Sequence, residues 1–146
     1  MQAMEISRTG LDVEWRRLEL IAENLANVNS ANGKTVSYQP MTLVTGPKNE
    51  FAKHLAPTTT QGPIDLNQLS GVAVYAVQAS NAPPRMVHEP GNPNANAAGF
   101  VTYPAIDQGT EMTKMIQTSR AYESNLVAMN AAKEMYSKAL TLGEKS

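Results

Sequence analysis

All nine prolines of this 146-residue chain lie between Pro40 and Pro104, and neither end contains one. Proline fixes φ, lacks an N–H and breaks helix interiors, so both ends are open to long helices and the middle is closed to them. Six of the nine glycines also fall in the middle, between residues 30 and 106. The length fits one structural unit. The expected fold is therefore mainly α, with a small irregular β-containing insert and long terminal helices paired in a coiled-coil-like arrangement. Its helical domain combines residues 3–29 and 107–142, and the insert is 30–106.

Apolar spacing supports this division. Met4, Leu11, Leu18 and Leu25 recur every seven residues, Ile21 and Val28 add the shorter step, and Trp15 and Ala22 widen the stripe. That is a helical face, with Glu5, Asp12, Glu14, Arg16, Glu19 and Glu23 mostly off it. Gly10 weakens the first turns, and the Asn/Gly-rich stretch Asn27–Gly33 ends the helix. At the other end Met112, Met115, Ser119, Tyr122, Leu126, Met129, Lys133, Tyr136 and Leu140 alternate steps of three and four, as a coiled-coil seam does. Asp107 is placed to cap this helix, and Gly143 to stop it. Glu134 with Lys138, and Arg120 with Glu123, sit at ion-pair spacing on it.

In the middle, Val36–Val44, Gly71–Ala79 and Gly99–Tyr103 read as short strands, and Ala56–Pro63 as a loop. No run of apolar residues is long enough to cross a membrane. The N-terminus shows no basic segment followed by an apolar core, so no cleavable secretory signal is expected.

Little in the chain suggests catalysis. Twelve basic residues balance thirteen acidic ones, which provides no electrostatic footprint for nucleic acid or anionic lipid. With no cysteine there is neither a disulfide nor a thiolate nucleophile. His54 and His88 lack a second ligand at metal-binding spacing, and a catalytic role needs an oriented partner. Glu50, Asp65 and Glu89 form no evident carboxylate pair, and glycine-rich phosphate loops and nucleophile-elbow patterns are absent. The four methionines of the C-terminal helix are read as packing residues rather than a ligand groove. No enzyme activity, cofactor, metal, nucleic acid or small-molecule substrate is expected.

Assembly is the stronger implication. Burying a Leu or Met side chain contributes about 1.5–3 kcal/mol, while ordering each residue costs about 1–2 kcal/mol of backbone entropy. Two helices carrying one or two such side chains per turn leave much of the stripe wet, which favours packing against further copies. A two-helix hairpin with a small β-cap is the simpler competitor.

Specific strings narrow the reading. Leu18-Glu19-Leu20-Ile21-Ala22-Glu23-Asn24-Leu25-Ala26-Asn27 resembles the N-terminal signature of bacterial flagellar axial proteins. Glu111-Met112, Ser119-Arg120-Ala121-Tyr122-Glu123-Ser124-Asn125 and Lys133-Glu134-Met135 resemble the C-terminal signature. Glu89-Pro90-Gly91-Asn92-Pro93 through Gly99-Phe100-Val101 to Pro104-Ala105-Ile106-Asp107 is similar to a stretch typical of the proximal-rod subfamily, although Ala105 and Asn92 stand where Asn and His are usual.

The resemblance implies a structural subunit of the basal-body proximal rod in the periplasm. Terminal helices would pack with copies of the chain and other rod proteins into a hollow shaft that transmits torque and encloses the export channel. The flagellar type III export apparatus and the membrane-embedded base would be further partners. The assembly residues expected are Leu11, Leu18, Ile21, Asn24, Leu25, Asn27, Met112, Met115, Arg120, Tyr122, Leu126, Met129, Tyr136 and Leu140. The amide of Asn24 is expected to bridge neighbouring subunits; Asn27 either does the same or ends its helix. Arg120 with Glu123 reads equally as an inter-subunit clamp or a solvated pair. In the isolated chain, the ends are expected to be partly disordered and to fold on assembly. The rivals are another type III-exported coiled-coil protein and a small enzyme using His54, His88 and Asp65.

Overall fold

The structure, a computed structural model, describes residues 2–31, 38–48 and 70–143. Six elements follow one another: helix α1 (Gln2–Ala26), strands β1 (Met41–Pro47), β2 (Val72–Ala79), β3 (Arg85–His88) and β4 (Phe100–Tyr103), and helix α2 (Gln108–Gly143). Neither helix contains proline, as the sequence requires. The fold is mainly α with a small antiparallel β insert. Glu50, His54, Asp65, the Ala56–Pro63 loop and the first part of the Val36–Val44 strand candidate lie outside the described residues.

α1 stops three residues short of the expected boundary. Its end is set by Asn27, whose Nδ2 donates to the Glu23 carbonyl at 2.8 Å while its backbone N–H donates to the same oxygen at 3.2 Å. Residues 27–29 then form a turn, so the Asn-rich stretch consumes the last helical carbonyls instead of extending the helix. α2 begins where its sequence cap predicts. Asp107 Oδ2 accepts the Thr110 backbone N–H at 2.8 Å, filling an orphan donor of the first turn.

β1 and β2 pair antiparallel from Met41↔Ala79 to Pro47↔Val72, with a register shift between Val44 and Thr45. Pro47 closes its strand at the end of the ladder, where a missing N–H matters least. Gly71 precedes β2 at φ +91°, and an added Cβ there would lie 2.1 Å from Thr9 Oγ1. The same hydroxyl accepts the Val72 N–H at 3.1 Å, stitching the start of β2 to α1. Only glycine allows both that backbone conformation and that approach.

β3 was not foreseen; it pairs with β4 from Arg85↔Tyr103 to His88↔Phe100. The connection between them is organised by its own asparagines. Asn96 Oδ1 accepts the N–H groups of Ala98 (2.9 Å) and Phe100 (3.0 Å), and Asn92 Oδ1 that of Asn94 (3.0 Å). Asn92 Nδ2 and the Tyr103 hydroxyl both donate to Glu89 Oε2, at 2.8 and 3.1 Å. Val101 of this hairpin is fully buried. Asn94 Nδ2 tethers the hairpin to the Ala31 carbonyl at 3.2 Å.

α1 is the middle layer, with the β1–β2 sheet on one side and α2 antiparallel on the other. At 100° per residue, Thr9, Val13, Leu20 and Asn24 share the arc toward the sheet, and three of them are buried. Leu11, Leu18 and Leu25 lie on a second arc between Gly10 and Trp15, both of which meet α2.

The Asp107 cap generates a pH dependence. Its hydrogen bonds from the Thr110 hydroxyl and N–H hold the carboxyl below its ordinary value of 3.8. A depressed folded pKa means that the cap's contribution is complete above 3.8 and is lost as pH falls through the lower folded value. The Thr110 amide signal is expected to titrate with a midpoint below 3.8 in the native chain and to lose that transition in Asp107→Asn. A midpoint at or above the ordinary value would contradict the cap.

Candidate assembly surface

Asn24 sits where α1, β1 and α2 meet, and it is 2% exposed. Its Nδ2 donates to the Met41 carbonyl at 3.0 Å and to Glu111 Oε2 at 3.3 Å. Its Oδ1 accepts the Met41 N–H at 2.9 Å and the Tyr38 hydroxyl at 3.0 Å. Two donors and two acceptor sites are the whole capacity of an amide. The bridge to neighbouring subunits expected of this residue is therefore replaced by a bridge within the chain. Burial, and then the carboxylates of Glu23 and Glu111, push the Tyr38 hydroxyl above its ordinary pKa, which keeps its donated proton in place.

Glu111 is the second buried polar member, at 6% exposure. Lys114 Nζ meets its Oε1 at 2.6 Å, so the carboxylate taken out of water has both a cation and an amide donor. The ion pair Arg17–Glu14, at 2.7 Å, lies across from it on α1, and Arg17 also reaches Thr45 Oγ1 at 3.5 Å. Between these pairs an open cleft of about 410 Å³ runs over Leu20, Ile21, Leu43, Thr118 and Ala121.

The face that α2 turns to α1 coincides only in part with the one its large apolar residues mark. Its buried and half-buried positions include Glu111, Met115, Thr118, Tyr122, Asn125, Met129 and Ala132, a three-four alternation. Met115, Tyr122 and Met129 belong to the expected seam, but at its exposed members Met112, Leu126 and Lys133 the preceding residue, Glu111, Asn125 or Ala132, is covered instead. An added Cβ on Gly10 would lie 2.9 Å from Asn125 Nδ2, so the glycine that weakens α1 also admits the opposing helix. Trp15 and Tyr122 meet with ring centroids 6.3 Å apart, although Trp15 stays 57% exposed.

Of the fourteen residues expected at an assembly interface, Leu11, Leu18, Ile21, Leu25, Met115, Tyr122 and Met129 are buried or half-buried within the chain. Asn24 is buried at the three-way junction, and Asn27 is half-buried at the α1 terminus. Met112, Arg120, Leu126, Tyr136 and Leu140 are exposed. Arg120 and Glu123 form no ion pair, nor do Glu134 and Lys138. Sequence reasoning missed Glu111, Thr118, Asn125 and Ala132 because small and polar residues carry no hydropathy signal. Their common spacing of seven was the available clue.

His88 is exposed and meets Phe100 in a tilted ring contact with centroids 5.0 Å apart. Among the described residues no group of three or more His, Cys, Asp or Glu side chains is placed to hold a metal. No described helix is long and apolar enough to cross a membrane.

These features describe a helical packing unit whose buried polar side chains Asn24 and Glu111 are partnered within the chain and whose longest helix leaves large apolar side chains exposed. Residues 97–142 match the model of the flagellar basal body rod FlgEFG protein C-terminal family. The flagellar basal-body rod protein FlgC of Salmonella typhimurium is 34% identical over 145 residues, covering 99% of this chain and 98% of that protein. FlgC of Bacillus subtilis is 30% identical, with 97% of each chain covered. FlgC of Borreliella burgdorferi is 26% identical over 96% of this chain and 95% of its own. The chain belongs to the FlgC family of flagellar basal-body rod proteins: it is a structural subunit of the bacterial basal-body rod and not an enzyme.

The junction makes a direct prediction. Asn24→Ala removes four hydrogen bonds at once and strips buried partners, each worth about 1–3 kcal/mol when left unsatisfied. The urea midpoint of Asn24→Ala is expected to fall substantially relative to the native chain. An unchanged midpoint would show that the junction contributes little.

Proposed function

We propose that this subunit assembles through its terminal helices into the inner layer of a hollow, torque-transmitting shaft. The helical unit of 3–29 and 107–142 packs in a coiled-coil-like manner with copies of itself and other rod proteins. The insert of 30–106 faces outward and contacts neighbours. In this reading the shaft crosses the periplasm and surrounds an export channel, and the export apparatus and membrane-embedded base are further partners.

One observation carries the reading: among the described elements, α2, 36 residues long, has only α1, of 25 residues, against it. Met112, Ile116, Leu126, Val127, Met135, Tyr136 and Leu140 are left 38–68% exposed along its length. At about 25 cal/mol per Å² of apolar area removed from water, covering these side chains supplies a driving force that the monomer leaves unused. Non-closing contacts between different patches of identical subunits generate an open helical assembly rather than a capped oligomer.

Two experiments test this. In a flagellated bacterium lacking its own copy, this chain is expected to restore basal-body rods and motility, and His54→Ala with His88→Ala to restore them equally. Leu25→Asp is expected to abolish both, because it places an unpaired charge on the half-buried α2-facing arc. Normal motility with Leu25→Asp would count against helix-mediated assembly. Separately, far-UV circular dichroism of the isolated chain is expected to show less helix than the 25 and 36 residues of α1 and α2. The missing helix should be recovered in assembled rods. A fully helical, cooperatively melting monomer would remove the coupling of folding to assembly.

A further inference from the structure

The first turns of α1 are its least secured part. None of residues 2–12 is buried, and Val13 is the first that is. Gly10 sits inside this stretch, and glycine is the poorest helix former after proline. From Val13 onward the helix is held to the sheet differently. There the buried side chains of Val13 and Leu20 are joined by the bonds of Arg17 to Thr45 and of Asn24 to Met41.

On the sheet side, one hydroxyl ties residues 2–12 to β2. Thr9 Oγ1 donates to the Ile6 carbonyl at 2.8 Å and accepts the Val72 N–H at 3.1 Å. The first bond is one that a helical threonine makes locally; the second joins residues 63 apart in the chain. The sheet ladder leaves that N–H available. At the Pro47↔Val72 pair the Lys48 N–H donates to the Gly71 carbonyl at 2.9 Å, so the Val72 N–H points away from β1. Gly71 turns the chain here at φ +91°, and its missing Cβ leaves room for the Thr9 side chain. The neighbouring Glu5–Lys48 pair is 3.8 Å long with both side chains about half exposed, so it adds little.

We propose that Thr9 and the Gly71–Val72 turn form a latch on a separately opening segment, residues 2–12 of α1. Closed, the Thr9 hydroxyl supplies the acceptor for the Val72 N–H. Open, both groups turn to water, Gly10 leaves Asn125, and the first turns unwind as far as Val13. Trp15, beyond that point, stays against Tyr122. Local opening of this kind draws on the least buried part of an element. The proposal rests on the assembly reading above and names the part of α1 whose order assembly completes.

Hydrogen exchange of the full isolated chain reads the latch amide by amide. Thr9→Val keeps the side-chain shape and removes the hydroxyl, whereas Thr9→Ser keeps the hydroxyl. Loss of one hydrogen bond of ordinary net strength corresponds to about fivefold faster exchange. That acceleration is expected in Thr9→Val at Val72 and at residues 6–12, with residues 17–26 unchanged, and Thr9→Ser is expected to exchange at close to native rates. Native rates throughout Thr9→Val overturn the latch, and so does equal acceleration of residues 17–26. Acceleration in Thr9→Ser as large as in Thr9→Val also overturns it, because the hydroxyl would then not be the closing group. None of these readings requires a rod. Failure of the unsubstituted chain to restore rods in the bacterium lacking its own copy overturns the assembly reading instead.

Discussion

The rest of the structure depends on a single amide. Three elements distant in sequence converge at Asn24, and none of them is held there by apolar contact alone. The backbone of Met41 is fixed at both its N–H and its carbonyl, which sets where β1 starts and hence the register of its ladder with β2. The bond to Glu111 sets the position of the first turn of α2 against the last turns of α1. An apolar residue could bury as much area but would leave the edge of the sheet free to slide, because area has no direction. A satisfied polar group in a low-dielectric junction specifies geometry as well as energy, provided that all of its bonds are made. Here they are.

That fixed junction organises an otherwise open molecule. Among the described residues the buried apolar core comprises Val13, Leu20, Ile21 and Val101, and Val101 belongs to the β3–β4 hairpin. Three of the four thus come from α1, the layer covered on both sides. A layer covered on two sides can bury its residues fully. A helix covered on one side buries only a narrow line, and α2 fills that line with Thr118, Asn125 and Ala132 beside three larger residues. The small residues let the helices approach, as Gly10 against Asn125 shows, while Met112, Ile116, Leu126 and Val127 stay exposed. A self-sufficient monomer of this length places its large side chains inside; this chain does the reverse on its longest helix.

The sequence is legible where backbone chemistry decides. The proline map, the Asp107 cap and the asparagines after Ala26 locate both helices to within a few residues. β2 and β4 follow from their apolar runs. β3 does not, because Arg85-Met86-Val87-His88 is short, carries charged or polar ends and follows two prolines; its pairing with β4 and the ordered turn between them create it. The rotation of α2 was illegible for a related reason. Apolar periodicity reports every face that avoids water, including one awaiting another chain, and it cannot assign each face to its partner. Met112, Leu126, Tyr136 and Leu140 carry that signal without touching α1. α1 presents the converse ambiguity. Its heptad Leu11, Leu18 and Leu25 marks the face toward α2, while the arc through Val13 and Leu20 toward the sheet is too short a pattern to stand out.

The separation of tasks along the chain follows from these packing rules. The β3–β4 unit satisfies many of its own polar groups through Asn92, Asn96 and Glu89. The helix pair is the opposite case: its backbone is satisfied internally, but its side chains are not. Under the proposed assembly, part of the entropy of ordering α2 is offset only when neighbours cover its exposed apolar side chains. A subunit of that kind has little reason to be rigid before it arrives and strong reason to be rigid afterwards. The cost of ordering is met at the same contact that determines the subunit's place, so position and stiffness are obtained together.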